Sequence, residues 1–319
     1  MSVEIIPVKV PGLWPITREA GSIKVAGKLV RDLILERFPE LPADRKLTCR
    51  ADFLPSPAFA ALVALGSGNC AVVDPSDGAT VMELCIPGVS GAPGQIPIDA
   101  DSFRIRHPWD LLALNEQLVG ALTGNRIEGT VRAGATFDGF VHLGRGSVIL
   151  PGVYIEGNVV IGEDCKIGPN CYIRGNTSVG DRCHIGQAVE IKNSLLGDKV
   201  SVGHLSYAGD SVICDRVNFG AGTIISNLRH DGRNHRWLEN QAFVDTGRRK
   251  FGAIIGENVH TGIHTAIYPG QPLREQHDRS GRGRLAFEIG SCLQSRRFAD
   301  SARLRYSAGV QAYCFRNRW

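Results

Sequence analysis

The sequence predicts a mainly β fold, a left-handed parallel β-helix of hexapeptide repeats with a small N-terminal α/β domain, and three observations point to it. Aliphatic or aromatic residues recur every six positions at Val131, Phe137, Leu143, Ile149, Ile155, Ile161, Ile167, Ile173, Val179, Ile185 and Ile191. Glycine is abundant, 38 of 319 residues, without the three-residue period of collagen, so it serves turns. The residues before about 120 show no such period and stand apart from the ladder.

Taken in chain order, residues 1–120 read as a small α/β domain, with amphipathic helices expected over 21–38 and 107–122. Residues 121–270 hold the repeat. A period of six suits neither a helix, at about 3.6, nor a simple strand, at about two. If each step is one short strand and a turn, three steps close a triangular coil of 18 residues. Residues one coil apart then stack about 4.8 Å above each other. Val131, Ile149, Ile167 and Ile185 would form one inward column, and Phe137, Ile155, Ile173 and Ile191 a second. Leu143, Ile161 and Val179 would form the third. Glycines after the apolar position, at 162, 168, 180 and 186, are expected to relieve corners of unusual φ. The register slips between Ile191 and Val202, resumes at Ile213, Phe219 and Ile225, and returns at Ile255, Thr261 and Ile267. Between these, 227–250 is a polar, basic insertion too long for a corner and is expected to be an external loop. Residues 271–319 form an arginine-rich tail whose ten basic residues include no lysine; a cap over the open end of the β-helix is its simplest role.

Composition narrows the function. A net charge of +4 is too mild to imply nucleic acid, and no apolar run approaches the roughly 18 residues that span a bilayer. Nine cysteines without a Cys-x-x-Cys pair, and no basic-then-apolar leader, read as a reduced cytoplasmic protein. Arg174 and Lys192 are 18 apart, each after an apolar ladder residue, so the fold stacks them on adjacent coils above Glu156. Neighbouring cations are unfavourable unless an anion joins them, and phosphate is the natural candidate; a solvated charge ladder is the competing reading. His204 stands three residues before Tyr207 in G-H-L-S-Y-A-G-D, and N-F-G-A-G-T follows at 218–223. A neutral imidazole beside an amine can take its proton during attack on a thioester, although spacing alone does not single out one of nine histidines.

The runs IGPNCYIRGN, QAVEIKNSLLGD, VGHLSYAGD and VNFGAGTIISN, within 167–227, resemble the acetyltransferase domain of the bacterial bifunctional N-acetylglucosamine-1-phosphate uridyltransferase/glucosamine-1-phosphate acetyltransferase. The sequel SNLRHDG with GRRKFGAIIGENVHTGIHTAIYPG is more similar to the archaeal and sugar-nucleotidyltransferase-like relatives of that enzyme. The resemblance implies acetyl-CoA-dependent N-acetylation of glucosamine-1-phosphate or galactosamine-1-phosphate, in the synthesis of UDP-N-acetylhexosamine for the cell envelope. Position by position, it implies that Arg174 and Lys192 hold the sugar phosphate and that His204 is the general base. Tyr207 and Asn218 would contact substrate, and Asn227 would lie by the reacting amine and acetyl group. Backbone at Ala221 and Gly222 would approach the coenzyme, and Arg248, Arg249 and Lys250 would face its phosphates. A homotrimer with sites between adjacent β-helices, and no bound metal, complete the picture.

Two positions depart from the family pattern: Leu228 replaces a tyrosine, and Ile263 replaces a serine that contacts the coenzyme. The alternatives are a non-catalytic hexapeptide-repeat scaffold or sugar-phosphate binder, and a carbonic-anhydrase-type metal site built from His184, His204 and His260 or His264. Leu13-Trp14-Pro15-Ile16-Thr17-Arg18 and Ile105-Arg106-His107-Pro108-Trp109-Asp110-Leu111 resemble segments flanking a nucleotidyltransferase domain, but no glycine-rich, arginine-containing nucleotide loop lies between them. Nucleotidyl transfer is therefore expected to be absent or impaired. Incubation with UTP or dTTP, magnesium and a sugar-1-phosphate should give no appreciable pyrophosphate; robust release would contradict the reading.

Overall fold

A computed structural model of the chain describes residues 2–39, 41–239, 241–277 and 283–286. From about residue 126 the backbone winds as a left-handed parallel β-helix with three sheet faces. The first face runs from Arg126–Ile127 through Thr177–Val179 and Leu195–Leu196 to Gln271–His277. The second runs from Thr130–Val131 through His184–Gln187 and Ser201–His204 to Asn218–Phe219. The third runs from Thr136–Asp138 through Tyr172–Arg174, Glu190–Lys192 and Tyr207–Gly209 to Ala266–Ile267.

From Leu143 on, the six-residue ladder is the interior of this helix; in the first coil Phe137 is partly buried and Val131 is 38% exposed, because no coil below covers them. Ile149 pairs with Ile167 and Ile167 with Ile185, and all three are buried. Ile155, Ile173 and Ile191 do the same on the third face. Each such side chain contributes roughly 1.5–3 kcal/mol on burial before chain entropy is subtracted, so the columns are the main source of cohesion. The slip after Ile191 is a change of coil length. Ile185 pairs with Val202 and Val202 with Phe219, 17 residues apart each time, so one corner residue is lost per coil while the inward columns continue through Leu196, Ala208, Ile213 and Ile225. After the insertion, Ile213 pairs with Ile255 and Ile225 with Ile267.

Several expectations need correction. Of the four corner glycines, only Gly168 has positive φ (96). Gly162, Gly180 and Gly186 are required by crowding instead: a Cβ on Gly186 would lie 2.0 Å from the Gly203 carbonyl oxygen of the next coil. The left-handed corners are held mostly by other residues, including Asp164, Asn170, Arg182, Asn193, Lys199, Leu205, Asp210 and Arg216. The insertion at 227–250 is no plain loop, because Arg236–Glu239 pairs with Ala242–Asp245 as a hairpin. The chain leaves and rejoins the coil at one place, where Phe251 N donates to Asn227 O at 2.9 Å. The first part of the tail continues the first face as a strand, with Ile255 opposite a buried Leu273. The expectations for residues 278–282 and 287–319 lie outside the described residues.

The N-terminal residues build a five-stranded sheet in the order Ser2–Ile6, Lys46–Arg50, Thr80–Cys85, Cys70–Val73, Gly94–Pro97. Three helices accompany it: α1 (Val30–Leu35), α2 (Pro57–Ala64) and α3 (Pro108–Gly120). The helix expected over 21–38 is reduced to α1, because Ala26 and Gly27, both with positive φ (49 and 81), turn the chain into a short hairpin before it. The helix expected over 107–122 forms as α3, started by Pro108 and a capping box between His107 and Asp110.

Helix α3 lies on the first face of the β-helix. Asn115 donates to the Asn176 carbonyl at 2.8 Å and accepts from Ser178 Oγ at 2.6 Å. Leu195, Val212 and Ile254, which point outward from that face, are buried in one apolar cluster with Leu111, Leu112 and Leu114. Lys24 Nζ bridges Asp181 (2.6 Å) and Asp198 (2.9 Å), and Arg18 binds Asp215. The first face is therefore covered, and the second and third carry the surface available for a site. Cys165, Cys171 and Cys183 are buried free thiols inside the helix, and burial pushes the Cys171 thiol up to about 12. Among the described residues no helix is long and apolar enough to cross a membrane.

The crowding account predicts a contrast between two glycines. Gly186→Ala should destabilise the protein by about 1–3 kcal/mol, because the neighbouring coil's backbone must shift. Gly203→Ala, whose Cβ would meet nothing within 4 Å, should be near neutral in the same denaturant titration.

Candidate active site

The third face and its corner with the second bring several of the sequence-selected residues together. A cavity of about 380 Å³ opens there, lined by Asn170, Tyr172, Glu190, Leu205, Tyr207 and Ile224 among others. Asn170, Ala188 and Leu205 are successive left-handed corner residues, so the backbone turns away from the cavity floor at each coil. Exposed Leu205 and Ile224 make one wall apolar, while Glu190 and Tyr207 supply polar groups.

Arg174 and Lys192 are register partners on adjacent third-face strands, as the column argument requires. Their charges are already answered by protein carboxylates, which the sequence reading did not foresee. Arg174 Nε donates to Glu190 Oε1 at 2.8 Å and its guanidinium lies 5.4 Å from the Tyr172 ring centroid. Lys192 Nζ binds Asp210 Oδ2 at 2.8 Å, with side chains only 15% and 4% exposed. Adjacent cations thus sit between carboxylates from the neighbouring residues, and an incoming anion would have to share or displace those partners.

Asp210 is a hub. It also accepts from Asn227 Nδ2 at 2.5 Å and from Asn193 Nδ2 at 2.9 Å. Asn227 Nδ2 approaches the Tyr207 hydroxyl at 3.0 Å. Gly209, opposite Lys192 in the register, leaves the space this needs: a Cβ there would lie 2.3 Å from the Tyr207 hydroxyl and 2.7 Å from Asn227 Nδ2. Burial, with Asp210 and Glu190 nearby, pushes the Tyr207 hydroxyl up, so it stays protonated and keeps its own hydrogen for a bound molecule.

His204 and Asn218 lie on the second face and are exposed. His204 immediately precedes Leu205 at the rim of the cavity, and its imidazole makes no hydrogen bond among the described residues. Below it, burial together with the charge of Lys166 holds the His184 pKa down. Ala221 and Gly222 form the same corner one coil above: Gly222 N donates to the His204 carbonyl at 3.1 Å, and a Cβ on Gly222 would lie 2.6 Å from His264 Nδ1. The basic run at the end of the insertion divides. Arg248 is bound to Glu116 of α3, with Nη1 at 3.1 Å from Oε2, and so does not present a free charge to coenzyme phosphates. Arg249 and Lys250 are exposed.

Glu116, Glu190, Asn193, Gly209 and Asp210 were missed by the sequence reading. The coil register would have placed Glu190, Gly209 and Asp210 near Arg174 and Lys192 once the 17-residue step was known. Nothing in the sequence points to Glu116.

The fold and these groups define a hexapeptide-repeat β-helix protein with a polar cleft at a corner between two faces. The family model described as the GMPPB C-terminal domain matches residues 155–270. Over 166 residues, 52% of this chain, the protein is 40% identical to the bifunctional sugar-1-phosphate nucleotidylyltransferase/acetyltransferase of Sulfurisphaera tokodaii, covering 41% of it. It is 47% identical over a stretch of the same length to the bifunctional protein GlmU of Methanococcus maripaludis, covering 40% of that protein. The chain thus spans about two fifths of the length of these curated relatives. A putative acetyltransferase of Bacillus cereus aligns at 18% identity with a TM-score of 0.24, over 53% of this chain and 86% of that one. The C-terminal half of this chain is therefore similar to the bifunctional nucleotidylyltransferase/acetyltransferase proteins, archaeal ones included.

The inserted hairpin is tied to the N-terminal unit beside this site. Trp237 packs against Trp109 (5.7 Å between centroids), and His107 Nε2 lies 3.1 Å from Glu239 Oε2. Burial pushes the His107 imidazole down, but Asp110 and Glu239 outweigh it and hold its pKa above the ordinary value. A histidine raised on folding stabilises fully below about pH 6.5 and loses that contribution as pH rises through its folded pKa. The melting temperature should therefore decline as pH is raised from about 6.5, and His107→Gln should flatten that decline in parallel melts.

Proposed function

We propose that this protein is an acetyl-CoA-dependent N-acetyltransferase acting on an amino-sugar-1-phosphate, glucosamine-1-phosphate or galactosamine-1-phosphate. The observation that carries the reading is the gathering of Arg174, Lys192, Tyr207 and Asn227 on one face, with His204 at the rim of the adjoining cavity. Similarity to relatives named as acetyltransferases supports acyl transfer. The whole relatives are longer, and their substrates come to this chain as part of the proposal.

In this reading Arg174 and Lys192 take the sugar phosphate, exchanging part of their contact with Glu190 and Asp210 for phosphate oxygens. Tyr207 and Asn227 orient the sugar, and Asn218 contacts it from the second face of an adjacent β-helix in a homotrimer. The neutral imidazole of His204 removes a proton as the amine nitrogen attacks the thioester carbonyl; the C–N bond forms, the C–S bond breaks and coenzyme A leaves as the thiol. Backbone at Ala221 and Gly222 lines the approach of the acetyl donor, and Arg249 and Lys250 are exposed cations for its phosphates. No step calls for a metal ion. The setting is UDP-N-acetylhexosamine synthesis in the cytoplasm.

A second reading, a sugar-phosphate binder without turnover, is favoured by one observation: His204 has no hydrogen-bond partner among the described residues to orient its ring. Thiol release from acetyl-CoA with each sugar phosphate separates the two. The intact chain should turn over, and His204→Ala should fall by about 10²-fold or more. Binding of the sugar phosphate without thiol release would favour the binder.

A further inference from the structure

We propose that Glu116, on helix α3 of the N-terminal unit, is a positioning residue for the site, setting through Asn193 and Asp210 where Lys192 and Asn227 stand. The functional meaning rests on the proposed function, in which those two residues meet the substrate; the geometry does not.

At this corner one side-chain nitrogen bridges the N-terminal unit and the polar cluster of the third face. Asn193 Nδ2 donates to Glu116 Oε1 at 2.5 Å and to Asp210 Oδ1 at 2.9 Å, so its two N–H groups serve one carboxylate each. Asp210 is buried, and its other oxygen holds Lys192 Nζ at 2.8 Å and Asn227 Nδ2 at 2.5 Å. Glu116 in turn receives Arg248, which ties the end of the insertion to α3. Two carboxylates are thus drawn to one amide nitrogen, and the arrangement is neutralised by one cation on each, Arg248 on Glu116 and Lys192 on Asp210.

The remaining contacts of the N-terminal unit differ in kind. Lys24, Arg18 and Asn115 bind the first face or its far corner and touch none of the proposed substrate-binding residues. Two coils lower the same corner meets α3 only through backbone, Asn158 donating to the Val119 and Gly120 carbonyls, whereas the Glu116 side chain meets Asn193, which stands with Asp210 as left-handed corner residues one coil apart. Without Glu116, Asn193 loses one of the two acceptors that fix its amide, and Arg248 is left to compete with Lys192 for Asp210, the other anion of the network. An N-terminal unit that has no nucleotidyl transfer to perform would still have a task here, the bracing of the acetyl-transfer site.

The test uses the intact chain and three variants, Glu116→Ala, Glu116→Gln and the exposed neighbour Gln117→Ala. Amine-selective labelling, read by mass spectrometry without substrate, reports on Lys192, and Lys24 reports on whether the two units remain docked. Lys192 should label several-fold faster in Glu116→Ala, less so in Glu116→Gln, which keeps an acceptor for Asn193, and unchanged in Gln117→Ala. With turnover, KM for the sugar phosphate should rise about tenfold in Glu116→Ala while KM for acetyl-CoA holds. Unchanged Lys192 labelling in Glu116→Ala, with Lys24 still protected, overturns the proposal. If Lys24 is also exposed in that variant, the Glu116→Gln chain decides by the same criterion. If the intact chain releases no thiol, the acetyltransferase reading fails by itself, and the labelling still judges the role of Glu116.

Discussion

Parallel stacking of each coil on the one below is the constraint from which the other features of this molecule follow. Three inward columns of Ile, Val and Leu hold the coils at strand spacing, and that spacing leaves no room at the points where one coil's carbonyl meets the next coil's Cα. Glycine at 162, 180 and 186 answers that closeness. The corners face outward and have room, so residues such as Arg182, Lys199 and Asp210 tolerate positive φ there at a modest conformational cost. The same stacking brings chemically unrelated residues into register, placing Arg174 beside Lys192 and Lys192 beside Gly209.

A solenoid with three equal faces has no preferred side until something covers one of them. Here the N-terminal unit buries the outward residues Leu195, Val212 and Ile254 of the first face and pins the adjoining corner through Lys24 and Arg18. The other two faces are left for the cleft. The inserted hairpin extends this cover. Trp237 joins the aromatic group of Trp14, Trp109 and Phe251, and Arg248 ends on Glu116. The cleft is therefore bounded by coil residues and braced by residues from two segments distant in sequence.

Charge pairing beside the cleft changes how the cations of the third face act. Free arginine and lysine side chains would bind any anion. Held by Glu190 and Asp210, they are fixed in position and their fields are largely cancelled. The desolvated Lys192–Asp210 pair adds little net stability but holds geometry, while the Arg174–Glu190 pair is about one-third exposed (34% and 32%).

The β-helix was legible because a period of six over eleven steps has one structural solution, and each step is a local pattern of burial. The resemblance of 167–227 likewise singled out Arg174, Lys192, His204 and Tyr207 from local runs. The helix expected over 21–38 failed because one Ala26-Gly27 turn outweighed an amphipathic pattern, and the hairpin inside 227–250 was hidden because its short strands alternate weakly. What the sequence by itself determined was the set of inward columns, since hydrophobic spacing is a property of the chain alone. Only the tertiary structure decided the partners of the charged residues, because Asp210 meets Lys192 through a coil shortened by one residue, and Glu116 meets Asn193 and Arg248 across the docking of two units.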